Sequence, residues 1–145
     1  MKYPVISTLL PSAVRAVTTN ADPQEILQPN ITGGSEPTPP PPVNASALIA
    51  YLNVTAVPGV DTVLIKMQEL EPVTQTWVDV AGAASSAQAA TGLITLRMAE
   101  HIAAVAAAVT GVSVNGIIPP NWRLVVVHSG AGNFTYSLAV AVEVG

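Results

Sequence analysis

Apolar and polar positions alternate with a period of two through most of this chain, most clearly near its C-terminus. Trp122, Leu124 and Val126 alternate with Arg123, Val125 and Val127, and Phe134, Tyr136, Leu138, Val140 and Val142 alternate with Thr135, Ser137, Ala139, Ala141 and Glu143. Successive strand side chains point to opposite faces, so each run predicts a strand with one large apolar face. The intervening Ser129-Gly130-Ala131-Gly132-Asn133 is turn chemistry and predicts that the two strands pair as a hairpin. The apolar face requires a second layer, which upstream strands must supply.

Upstream, Leu48, Ala50, Leu52, Val54 and Ala56 alternate with Ile49, Tyr51, Asn53, Thr55 and Val57, predicting a strand closed by Pro58-Gly59. Val63, Ile65 and Met67 against Leu64, Lys66 and Gln68 predict a second, joined to the first as an antiparallel meander. Glu71 to Gln75 reads as a turn, Thr76 to Val80 as a short strand carrying Trp77, Ala81 to Thr91 as a loop or loosely packed edge, and Leu93 to Met98 as a strand. From Ala99 to Val109 the alanines, with Ile102, Val105 and Val109 at helical spacing, permit a short helix, and an extended reading fits as well. Val112, Val114 and Ile117 return to strand composition, and Gly111 and Gly116 break any helix. The expected fold is all-β: an antiparallel β-sandwich, Ig-like or jelly-roll-like, over residues 46–145.

Residues 1–45 differ in composition, with nine of the 13 prolines falling between Met1 and Asn44. Proline removes a backbone donor and restricts the preceding residue, so the segment supports neither a long helix nor a central strand. Pro37 to Pro42 reads as a polyproline II spacer. A solvated linker has no use for Tyr3, Val5, Ile6, Leu9, Leu10, Val14, Ile26, Leu27 and Ile31, so these become candidate protein-interface residues of an extended N-terminal arm. Fully extended, 44 residues span on the order of 140 Å, enough to reach a neighbouring subunit. Pro4, Pro11 and Arg15 interrupt the N-terminal apolar run, which therefore reads as mature protein rather than a secretion signal.

Composition narrows the function classes. The chain has 145 residues and no cysteine, so neither a disulfide nor a thiolate–metal framework is available. Five Lys and Arg against nine Asp and Glu give a net charge of -4, and the dispersed cations form no basic stripe for nucleic acid. Charged residues are 10% of the chain and mean hydropathy is +0.49, yet the longest apolar stretch, Ile102 to Val114, falls short of the roughly 20 residues a membrane helix needs. A chain this poor in charge is expected to hide surface in an assembly.

Catalytic signals are weak. His101 and His128 lack metal-ligand spacing, and His128, in register with Trp122, Leu124 and Val126, reads as a structural residue at a strand end. Ser129, His128 and Asp79 assemble a triad only on paper, with no nucleophile elbow, so a hydrolase built on His128 has no predicted substrate. Glu69 and Glu71 flank a turn and read as solvated; Asp61 reads as a turn residue satisfying local donors. Gly130-Ala131-Gly132 joins strand to strand, which is the wrong context for a phosphate loop. The Asn-x-Ser/Thr matches at Asn30, Asn44, Asn53 and Asn133 suit chance in a Thr-rich β chain, and Trp77 and Trp122 read as sandwich core more than as ligand platforms. No enzyme activity, cofactor or metal is expected.

From about Ala47 onward the order of features resembles a family of small structural proteins of tailed-bacteriophage virions. The residues that carry it are Leu52-Asn53-Val54-Thr55-Ala56-Val57 with Gly59, Asp61-Thr62-Val63-Leu64-Ile65 with Gln68, Thr76-Trp77-Val78-Asp79, Trp122-Arg123-Leu124-Val125-Val126-Val127-His128-Ser129, and Phe134-Thr135-Tyr136-Ser137. Such proteins are similar to capsid decoration or cement proteins, which sit on a head shell and lock neighbouring capsomers. The resemblance implies a non-enzymatic β-sandwich at the capsid surface of a virion, with the major capsid protein and copies of itself, as a homo-oligomer, for partners, and neither nucleic acid nor membrane. The alternative is a tail or fibre component that binds a glycan.

Overall fold

A computed structural model describes residues 4–21 and 45–144 of the chain. They form ten strands: β1 (Pro4–Arg15), β2 (Thr19–Ala21), β3 (Ala45–Ala56), β4 (Val63–Glu71), β5 (Thr76–Ala84), β6 (Gly92–Ala99), β7 (Val105–Ala108), β8 (Gly111–Asn115), β9 (Trp122–His128) and β10 (Phe134–Val144). A six-stranded sheet in the order β1-β10-β3-β6-β8-β7 packs on a four-stranded sheet in the order β2-β9-β4-β5. The fold is an all-β sandwich. Its core lies between the sheets, with Leu48, Leu52, Ile94, Leu96, Phe134, Tyr136 and Leu138 from one layer meeting Ile65, Met67, Trp122, Leu124 and Val126 from the other, all fully buried.

Alternation identified the strands at both ends of the 129–133 turn but not their pairing. β9 pairs with β2 and β4, while β10 pairs with β1 and β3, so the turn is an arch between sheets and not a hairpin. An arch and a hairpin can each direct two large apolar faces at one core, and period-two alternation does not distinguish them. The expected meander between β3 and β4 is an arch for the same reason, whereas β4 and β5 do form a hydrogen-bonded hairpin. The arch at 129–133 is fastened to the 58–62 loop. Ser129 donates its N–H to the Thr62 carbonyl at 2.9 Å, and Thr62 donates its N–H to Ser129 Oγ at 2.7 Å. Asp61 Oδ2 accepts from Gly132 N–H at 2.9 Å, so the acid satisfies a donor in the distant arch rather than a local one. A Cβ on Gly132 would lie 2.5 Å from the same carboxylate, which explains glycine there.

Two other segments resolve readings that the sequence left open. Residues 81–84 extend β5 at the edge of the four-stranded sheet, where small side chains let Ala83 enter the core; beyond them Ser85 donates its N–H to the Ile65 carbonyl at 2.9 Å and accepts the Ile65 N–H on its Oγ at 3.1 Å. Between Ala99 and Val109 the extended reading holds. A helix would need to bury Val105 and Val109, which are 56% and 48% exposed, and β7 instead pairs antiparallel with β8. β8 enters the slot between β6 and β7 and runs parallel to β6, the one parallel pair among the described strands. That insertion depends on Gly111, at φ 142°, where a Cβ would sit 2.0 Å from the Thr95 carbonyl oxygen.

The expected boundary at residue 45/46 also shifts. β1 pairs with β10 and β2 with β9, so residues 4–21 are part of the sandwich and not a free arm. Proline is compatible with β1 because it lies at the sheet edge, where donors on one side need no partner. The polyproline expectation for 37–42 lies outside the described residues.

Candidate interaction surface

The N-terminal strands are held by a bulge and a polar clasp. Between Thr8 and Ala13 the β1–β10 register shifts twice, and the shift lets the consecutive Leu9 and Leu10 both reach the core, Leu9 being 7% exposed. Arg15 gathers the carbonyls this region leaves free, donating to Pro11 O at 2.6 Å and Ala13 O at 3.2 Å. It also donates to Tyr136 O at 2.6 Å and lies over the Tyr136 ring, 4.8 Å from its centroid.

Beyond Arg15 the chain crosses to the other sheet through a relay. Thr19 Oγ1 donates to Val17 O at 3.0 Å and accepts from the Tyr136 hydroxyl at 3.1 Å; that hydroxyl lies 2.8 Å from His128 Nε2. With the phenol proton committed to Thr19, His128 must donate from Nε2, which leaves Nδ1 bare and buried without a hydrogen-bond partner among the described residues. Burial, then the positive Arg15, hold the His128 pKa below its ordinary value; burial raises that of Tyr136 against the opposing effects of Thr19 and Arg15. Thr18 Oγ1 accepts from His128 N–H at 3.1 Å, and the imidazole meets the Phe134 and Tyr136 rings edge-on. The cluster ties β2, β9 and β10 together, giving His128 the structural role read from its register. Sequence reasoning missed the partners. The signal was present in Tyr136, which alternation places in the core and whose hydroxyl then requires a hydrogen bond.

The proposed arm residues sort into three groups. Leu9 lies in the hydrophobic core of the sandwich and Leu10 packs partly buried against it, so neither is exposed like an arm residue. Ile6 and Val14 project from the opposite face of β1 and are 76% and 65% exposed. Val5 pairs in the ladder with Val142, and Tyr3, Ile26, Leu27 and Ile31 lie outside the described residues.

Ile6 opens onto the outer face of the six-stranded sheet. Ladder partners place Ile6, Ala141, Ile49, Arg97 and Ser113 in one row, and Thr8, Ala139, Tyr51, Thr95 and Gly111 in the next. Arg97 is the only charge in either row. Leu93, 50% exposed, and Val14 flank these rows, giving a broad face of small, hydroxyl and aliphatic side chains.

The outer face of the other sheet is different in character. Lys66 pairs with Asp79 at 2.9 Å, Gln68 bonds both Asp79 and Arg123, and the Arg123 guanidinium lies 4.5 Å from the centroid of the half-exposed Trp77. Hydrogen bonding by Gln68, followed by Lys66, lowers the Asp79 pKa. Trp122, by contrast, is fully buried. Glu71 binds the backbone of its own turn, and Thr74 and Val73 lower its pKa. Among the described residues no three of His, Cys, Asp and Glu converge on a metal-sized site. No protein-family model matches this sequence, and no curated protein matches it.

Proposed function

We propose that this chain is a structural component of a tailed-phage virion, a capsid decoration or cement protein that stabilises the head shell through contacts between neighbouring copies and the major capsid protein. The observation that carries the reading is the outer face of the six-stranded sheet, where Arg97 is the one charge across two full rows and Ile6 and Val14 stand exposed at the rim. A broad, nearly uncharged face on a chain with 10% charged residues is suited to burial against another protein. The residue resemblance supplies the virion setting.

The contact is tested without disturbing the fold by Ile6→Asp/Val14→Asp, since both side chains point away from the core. The variant is expected to keep the wild-type circular dichroism and melting temperature yet fail to co-sediment with heads lacking the native protein. Wild-type binding by the folded variant would remove this face from the contact. Deleting residues 2–36 would not isolate this contact, because it strips an edge strand from each sheet.

A further inference from the structure

Residues 4–21 supply one edge strand to each sheet. Among the described strands, β1 is the edge of the six-stranded sheet and pairs only with β10, and β2 is the edge of the four-stranded sheet and pairs only with β9. Removing both leaves two contiguous sheets, and among the described side chains the buried ones they contribute are Leu9 and Ala21, with Leu10 partly buried. Among the described residues, Arg15, Thr18 and Thr19 add polar attachments to β9 and β10. This unit joins β3 through the 23 residues from 22 to 44, seven of them proline. Packed sheets are about 10 Å apart, whereas a chain of that length reaches roughly 80 Å.

We propose that residues 4–21 are exchanged between copies, so that β1 and β2 of one chain occupy the β10 and β9 edges of a second. The inference rests on the reading that neighbouring copies contact one another in an assembly, and it specifies one way in which they would be joined. Exchange reproduces every contact of the closed chain, so the two states differ chiefly in whether the unit is tethered to its own edges or supplied by a neighbour. The covalent link holds the unit near its own edges at an effective concentration on the order of 1 mM. Dilute protein therefore stays closed, and copies crowded side by side exchange. A series of such donations would lock neighbours together with no new interface, and Leu9 and Leu10 would serve a neighbour's core instead of their own.

The absence of cysteine gives a clean test. Thr8 and Ala139 are ladder partners, as are Val14 and Thr135. Full-length chains carrying only Thr8→Cys and only Ala139→Cys are denatured, refolded together at about 1 mM or about 1 µM, oxidised, and resolved without reductant. The expected result at the high concentration is a disulfide-linked dimer holding one chain of each kind. It should exceed the level in chains folded separately and then mixed, and be lost at the low concentration. A chain carrying both substitutions, refolded dilute, should close its own disulfide, with Val14→Cys/Thr135→Cys as the second pair. No mixed dimer at either concentration, while the double variant closes internally, would overturn the exchange. Failure of both internal disulfides would overturn the register on which it depends. Neither result depends on whether the protein is found in virions, so a failed exchange and a failed virion assignment are separate outcomes.

Discussion

The relay from His128 through Tyr136 to Thr19 shows how one buried residue can make stability depend on pH. The folded protein holds the His128 pKa below its ordinary value, so the unfolded chain binds more protons wherever imidazole titrates. Stability should therefore fall as pH drops below about 6.5, when protonation would place a second cation near Arg15 and a proton on the unpartnered Nδ1. Thermal melts at pH 7.5 and 5.5 are expected to show this loss, and His128→Gln, which keeps a donor for the Tyr136 hydroxyl but cannot titrate, should reduce it. The two carboxylates with lowered pKa values, Asp79 and Glu71, contribute stability that is lost only at more acidic pH. Neighbouring residues of β1 should separate as sharply. Leu9→Ala is expected to cost about 2–4 kcal/mol in urea unfolding, because Leu9 fills the core. Ile6→Ala, at 76% exposure, should change stability by no more than about 0.5 kcal/mol. If residues 4–15 were a free arm, neither change would register.

At the level of elements, strand identity was readable and strand pairing was not. The inward sets of β3, β4, β9 and β10 followed from alternation alone, since one face of each had to be buried. Alternation carries no information on which strand lies alongside, so two arches were read as paired connections. β1 was legible only in part. Its prolines argued against a central strand, and it is an edge strand, but the double register shift that sends Leu9 and Leu10 inward leaves no period-two trace. β8 was obscured differently, because its place between β6 and β7 is set by the close approach of Gly111 to Thr95 rather than by an apolar pattern. Gly111→Ala should accordingly cost at least about 3 kcal/mol, measurable as a lower urea midpoint, through backbone strain and a displaced β6–β8 pair.

For the molecule as a whole, the charge-poor composition is reflected in the outer face of the six-stranded sheet, on which Ile6 and Val14, of the interface residues named from sequence, stand exposed. The other interface residues were chosen as apolar side chains outside a core, and the structure returns Leu9 and Leu10 to that core. A virion role makes a demand that the free protein does not. The most direct measurement is quantitative mass spectrometry of separated head and tail fractions from purified particles. The account predicts the chain in the head fraction, in fixed proportion to the major capsid protein and retained through salt washing. Recovery only with tails, or absence from the particle, would contradict it.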